Sequence, residues 1–378
     1  MDSLARRIGA SVPAIGIGVA LVAGLWLMPD LTPPDAIPVI GQQTDRGRIV
    51  EDLGEAAGGL PLFAVELPDG ELVEAVVQDG SAAMPGLSSR DPYEVGDEVV
   101  VTRFGGPAAG EFAAITEPWR LPLLGVVAAL FAVAVLIIGG LRGARSLVAL
   151  ALTLTVVVKL VVPLLLRGYD PILLAVSVAA AVTLATLLLT EGFSRITLAA
   201  TVGTGAALVL TAVLAALFTA AAGFTALQGN ESIAFLIPLV GDRIDLNGIL
   251  LAATVFGALG VLDDVTVTQA ATVEQLHRAE PSARRTGVIA RAMRVGRSHI
   301  AATVNTLMLA YLGASLPLLL LFALGGQSPL VVLNGELVAV EVIRALVGSI
   351  GIVAAVPLTT LVAAALIVPS EPMAAMSA

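Results

Sequence analysis

Two adjacent carboxylates, Asp263 and Asp264, stand inside the apolar run Gly257-Ala258-Leu259-Gly260-Val261-Leu262-Asp263-Asp264-Val265-Thr266-Val267-Thr268-Gln269. At helical spacing Gly257, Gly260, Asp264, Thr268 and Ala271 share one stripe, small or polar throughout. Such a stripe is expected to face protein, because small residues let a neighbouring backbone approach and a polar group can then be satisfied inside a bundle. A carboxylate taken out of water is costly unless paired or neutralised, so two side by side are expected to share charge or protons, as a proton relay requires. The bland alternative places both at the headgroups, fully solvated; continuation of the helical run to Ala271 weighs against it. Lys159, the single lysine among 20 basic residues, lies in the apolar segment Leu154 to Pro163. It is a candidate partner for Asp263 or Asp264, or else it snorkels to the interface.

Other polar residues in apolar surroundings read more plainly. Asn305 and Thr306 are expected to act as interhelical glue, with Gln269 as part of the same polar lining. Glu341 and Arg344, at i and i+3, are expected to pair with each other. The chain has no cysteine, and its two histidines, His277 and His299, flank one basic loop. Disulfides and thiolate metal sites are thereby excluded, and no metal or cofactor is expected. No nucleophile with a base and no HExxH pattern occurs in the apolar runs, so an enzyme is not expected.

The elements that must hold these residues are membrane helices. Of 378 residues, 57% are hydrophobic and 13% charged, outside the range of soluble domains. Eight runs have the length a bilayer demands: roughly 8–28, 121–141, 147–166, 172–189, 196–222, 246–267, 300–324 and 337–368. The first follows Arg6 and Arg7; its apolar run is long and no clear cleavage site follows, which favours an uncleaved anchor over a secretory signal. With eight alternating helices, Arg6, Arg7, Arg142, Arg145, Arg195 and the cluster Arg278, Arg284, Arg285, Arg291, Arg294 and Arg297 fall on one side. The positive-inside rule then makes both termini cytoplasmic.

Residues 29–118 differ in kind. Alternating runs at Leu62 to Leu67, Leu72 to Val77 and Glu98 to Thr102, separated by Pro68-Asp69-Gly70, Asp79-Gly80 and Gly96-Asp97, predict an extracytoplasmic OB-like or SH3-like barrel of about five strands. The region is acidic and almost free of aromatics, so nucleic acid is not an expected partner. The expected organisation is therefore a membrane anchor over 1–28, a small all-β domain over 29–118, a seven-helix bundle over 119–370 and a cytoplasmic tail over 371–378. A short apolar run, Ile233 to Val240, is too short to span and is expected to lie at the interface, dip in, or pack as a loop. The Asn230-Glu231-Ser232 sequon carries no weight.

Three segments resemble the YibE/F family of bacterial multipass membrane proteins: Lys159-Leu160-Val161-Val162-Pro163 with Gly168 and Pro171; Gly257 to Gln269; and Gly296-Arg297-Ser298-His299 leading to Asn305-Thr306-Leu307-Met308-Leu309-Ala310-Tyr311-Leu312-Gly313. The outer region agrees through Tyr93 to Val101 and Trp119-Arg120. More distantly, Gly260 to Val267 is similar to the acidic helix of resistance-nodulation-division permeases and of the SecD/SecF translocation subunits, whose aspartates carry protons that drive transport. That likeness reaches only Asp263 and Asp264, and the further acid usual in those helices is replaced by Gln269 and Ala270. It implies a homodimer or a paralogous partner, since the helices here make one six-helix repeat. The expected function is a transporter or permease-like protein for a small solute, with Asp263 and Asp264 as proton carriers and Lys159 as a relay partner. The alternative is a membrane-anchored assembly or sensing protein acting through the β-domain.

Overall fold

A computed structural model describes residues 2–31, 42–56, 59–78, 93–104, 112–225, 245–326 and 328–369. The Asp79-Gly80 turn, the sequon, the run Ile233 to Val240 and the tail 371–378 lie outside the described residues. The chain forms two compact units, one of residues 35–134 and one of residues 1–34 with 135–378.

The smaller unit is built on five strands: β1 (Gln42–Glu55), β2 (Pro61–Glu66), β3 (Leu72–Val77), β4 (Glu98–Phe104) and β5 (Phe112–Pro118). They close into a barrel in the order β1-β2-β3-β5-β4, antiparallel except for β3 against β5. Closure removes open edges. It is achieved by β1, which pairs with β4 over Gln42 to Arg48 and with β2 over Arg48 to Glu55. Gly47 stands at the switch, where a Cβ would strike Val65. Alternation directs Ile49, Phe63, Val65, Ala75, Val77, Val99, Val101 and Ile115 inward as the core. The turns form as their residues dictate: Gly70 takes φ 84° beside Asp69, which accepts from the Glu71 amide, and Gly96 takes φ 105°.

The larger unit is helical. After α1 (Asp2–Leu27) and the β-domain come α2 (Leu121–Val156), a π turn (Val157–Val161), α3 (Val162–Leu166), α4 (Pro171–Thr190), α5 (Arg195–Ala222), α6 (Leu246–Ala279), α7 (Arg285–Ala314), α8 (Leu316–Leu324), α9 (Pro329–Asn334) and α10 (Glu336–Ile367). Starts and stops follow capping chemistry. Asp170 accepts from the Leu173 amide ahead of Pro171, Ser194 accepts from Thr197, and Gly223 ends α5 in the left-handed region.

Five helical stretches among the described residues are long and apolar enough to cross a membrane: Leu121–Leu166, Pro171–Thr190, Arg195–Ala222, Leu246–Ala279 and Glu336–Ile367. The expectation of eight differs at three places. The runs 121–141 and 147–166 join into one helical stretch that breaks only at Gly140, which has φ 55° and ψ −134°. The run 300–324 divides at Ser315 between α7 and α8. In α1 the apolar part is the shorter Val12–Leu27. The π turn has its own cause: Pro163 has no N–H for the Lys159 carbonyl and its ring crowds the preceding turn, so the ladder widens there.

The centre of this unit is α5, α6 and α10, each packed on the other two, with α4 against α5 and α6 and α7 against α6 and α10. Contact is close because the residues are small. A Cβ at Gly203 of α5 would collide with Thr359 of α10, and one at Gly351 of α10 with Thr211 of α5. At one end of the bundle, arginines satisfy the last carbonyls of helices: Arg145 donates to Thr190, Arg195 to Leu366 and Arg285 to Val368.

Candidate functional site

The site is built around α6. Its inward face carries Ala258, Leu262, Val265, Thr266 and Gln269, all buried. Asp263 lies at the margin of that face, half-buried, where α4, α5 and α6 meet. Thr183 of α4 donates from Oγ1 to Asp263 Oδ1 at 2.9 Å, and Thr204 of α5 stands close by. Thr204 and Thr266 also share a hydrogen bond at 2.7 Å, while the Thr266 hydroxyl donates to the Asp263 carbonyl. Thr183, Thr204 and Thr266 are completely buried.

One and a half turns further along α6, Gln269 makes a second polar junction. Its Nε2 donates to Thr360 Oγ1 of α10 at 2.7 Å and to the Ala292 carbonyl of α7 at 3.1 Å. Gly296 permits that approach, since a Cβ there would press on Val356 and on Gln269 Oε1. Gln269, expected as polar lining, ties three helices together. Thr359 Oγ1, buried against Gly203, has no hydrogen-bond partner among the described residues. Glu341 and Arg344 pair at 2.6 Å, as their spacing implies.

Three expectations are corrected. The stripe Gly257, Gly260, Asp264 and Thr268 faces out of the chain: all four are exposed, and nothing lies within 4 Å of a Cβ built at Gly260. Successive helical residues are rotated by about 100°, and the larger apolar residues Leu262 and Val265 take the inward face, so Asp263 is turned to the bundle and Asp264 away. Lys159 meets neither aspartate. The π turn carries it to Trp26 of α1, with Nζ 4.7 Å from the ring centroid, a cation–π contact. Asn305 and Thr306 glue no other helix among the described residues; both are exposed, and Thr306 donates to its own Ala302 carbonyl.

Sequence reasoning missed Thr183 and Thr204. A signal existed for Thr204: Ala200, Gly203, Thr204, Ala207 and Thr211 recur at three- and four-residue spacing along α5 and are all buried. The arrangement can hold one carboxylate among hydroxyls, with no cation beside it among the described residues. No group of three metal-ligating side chains occurs among them either.

The family described as YibE/F-like protein matches residues 127–369, a span that runs from α2 through α10 and contains both junctions. No curated protein and no solved structure matches the chain. Of the segments that carry the resemblance, Gly257 to Gln269 of α6 ends on Gln269 and the α7 segment opens on Gly296, which stands against the Gln269 side chain. The chain belongs to the YibE/F-like family.

Proposed function

We propose that this protein is a transporter or permease-like protein of the bacterial cytoplasmic membrane, in which protonation of Asp263 is coupled to movement of a small solute. In this reading the chain crosses the bilayer eight times, with Gly140 as a tight reversal between two spans and α7 with α8 as a broken one. Both termini and the arginine-capped end of the bundle are cytoplasmic, and the barrel lies outside. Among the two barrel types expected, the parallel β3 and β5 pairing supports the OB-like one.

The observation that carries the reading is the Asp263 environment. Its carboxylate accepts from the Thr183 hydroxyl of α4 and has no cation beside it among the described residues, so its charge is uncompensated in a low-dielectric setting. Gain or loss of a proton there changes what Thr183 and Thr204 can accept or donate, and with it the packing of α4 and α5 on α6. Asp264, turned outward, is a secondary carrier, and Lys159 is assigned no part in the relay.

The test uses purified protein in vesicles carrying an internal pH indicator. Asp263→Asn is expected to abolish proton movement across the bilayer while expression stays intact, and Asp264→Asn to reduce it less. Wild-type proton movement in Asp263→Asn removes the relay.

The rival reading, assembly or sensing through the outer domain, draws support from the barrel having a closed sheet and a core of its own. Joining the flanking helices by a flexible linker in place of residues 31–117 separates the two. Loss of the protein's cellular phenotype while the helices remain folded follows from the rival alone.

A further inference from the structure

Arginines at the capped end of the bundle differ in what answers them. Arg145, Arg195 and Arg285 donate to helix-end carbonyls, while Arg278 pairs with Glu274 and Arg291 with Glu280. Arg294 and Arg297 of α7 do neither. Both are exposed, and neither has a hydrogen-bond or ion-pair partner among the described residues. Three residues apart on a helix, their side chains leave one face about 5–6 Å from each other.

Their depth follows from the packing. The 20 residues of α4 span about 30 Å, the thickness of the hydrocarbon layer. Thr183 stands seven residues, or about 10 Å, from the Thr190 end, and its hydrogen bond holds Asp263 at that level. Gln269, six residues further along α6, is about 9 Å nearer that end and so lies at the edge of the layer. A Cβ at Gly296 would come 2.8 Å from Gln269 Oε1, which sets Gly296 of α7 at the same edge. Arg297 is the next residue, and Arg294 lies about 3 Å outward of Gly296. Headgroups occupy roughly 5–8 Å on each side of the hydrocarbon, so both guanidinium groups stand at the level of the lipid phosphates.

We infer that Arg294 and Arg297 together hold the phosphate of an anionic phospholipid. A guanidinium presents parallel N–H groups that fit two phosphate oxygens, and two such forks on one helix face can close on a single phosphate. Charge selects the class of lipid. The two arginines bring two positive charges with no acid paired to them among the described residues. A zwitterionic headgroup adds an ammonium of its own beside them, whereas an anionic headgroup supplies net negative charge. A lipid held there fixes the height of α7 in the bilayer, next to the Gln269 junction that ties α7 to α6 and α10.

This inference takes Asp263 only as a depth marker and is independent of whether it titrates. The test is lipid retention by the purified full chain in native mass spectrometry, with phosphatidylglycerol or phosphatidylcholine added in detergent. The wild-type chain is expected to keep phosphatidylglycerol in preference to phosphatidylcholine. Each arginine near an anionic surface is worth about fivefold in affinity, so Arg294→Gln with Arg297→Gln should weaken phosphatidylglycerol binding roughly 25-fold. Both side chains are exposed and make no contact that folding needs, so this variant is expected to melt as the wild type does. Arg278→Gln with Arg284→Gln removes the same charge at the hairpin tip. Arg278 stands about 13 Å past Gln269 along α6, beyond a Debye length, so this pair should leave affinity nearly unchanged. Arg294→Lys with Arg297→Lys keeps the charge without the forks and should fall between wild type and the first glutamine pair. Equal affinity for the two lipids, or equal loss from the two glutamine pairs, overturns the inference. So does displacement of phosphatidylglycerol by millimolar inorganic phosphate, which would make this a site for a soluble anion.

Discussion

Asp263→Asn keeps an acceptor for the Thr183 hydroxyl and removes the charge, so its effect on folding and its effect on proton movement part company. The variant is expected to melt at the wild-type temperature or above it in detergent, since no uncompensated charge is left to bury. Gln269→Ala has the opposite profile. It deletes two interhelical hydrogen bonds and leaves the Ala292 carbonyl and Thr360 without that donor, at a cost of about 2 kcal/mol. A lowered melting temperature with little change in proton movement is the expected pair of readings. At this scale the sequence indicated that one acid of the pair belongs inside the bundle, but the stripe argument selected Asp264. Small residues mark a close helix contact without saying whether the neighbour is in the same chain, and in α6 the larger apolar residues had already claimed the inward side. Thr183 was illegible for another reason: a threonine in an apolar helix ordinarily bonds its own preceding turn, and only the fold brings it to Asp263.

Close approach between helices is carried by glycine facing threonine. A methyl at Gly203 would strike Thr359, and one at Gly351 would strike Thr211, both in the α5 and α10 contact. Gly203→Ala is expected to destabilise by about 1–3 kcal/mol. Adding Thr359→Ala, which removes the colliding hydroxyl, should recover part of that loss in a double-mutant cycle. A double-mutant loss equal to the sum of the two single losses would exclude the collision as the cause. Helix positions in α4, α5, α6 and α10 were legible because long apolar runs between caps admit little else. The π turn before Pro163 was not, since it arises within a run whose hydropathy is nearly uniform. That π turn explains why Lys159 reaches Trp26 rather than an aspartate. In the barrel, β2, β3 and β4 announced themselves by alternation. The long, mostly polar β1 did not, because it switches partners at Gly47 and only Ile49 enters the core.

For the molecule as a whole, the barrel and the helical unit have separate cores, so losing one should leave the other folded. Replacement of residues 31–117 by a linker is expected to preserve the helical far-ultraviolet signal and the cooperative melting of the bundle. Loss of both would mean that the helices depend on the outer domain. The long helices suggest where a change at the Asp263 junction would be felt. From Asp263 to its end at Ala279, α6 runs about 24 Å, while α4 ends about 10 Å past Thr183. The excess is doubled back through α7 and braced by the Glu280 to Arg291 ion pair at 2.5 Å and by Arg285 on the Val368 carbonyl. Under the proposed relay such a hairpin would work as a lever whose fulcrum is the Thr183 contact: a tilt of about 5° there would displace its tip by about 2 Å. A proton arriving in the interior would thus be legible to whatever meets the tip in water.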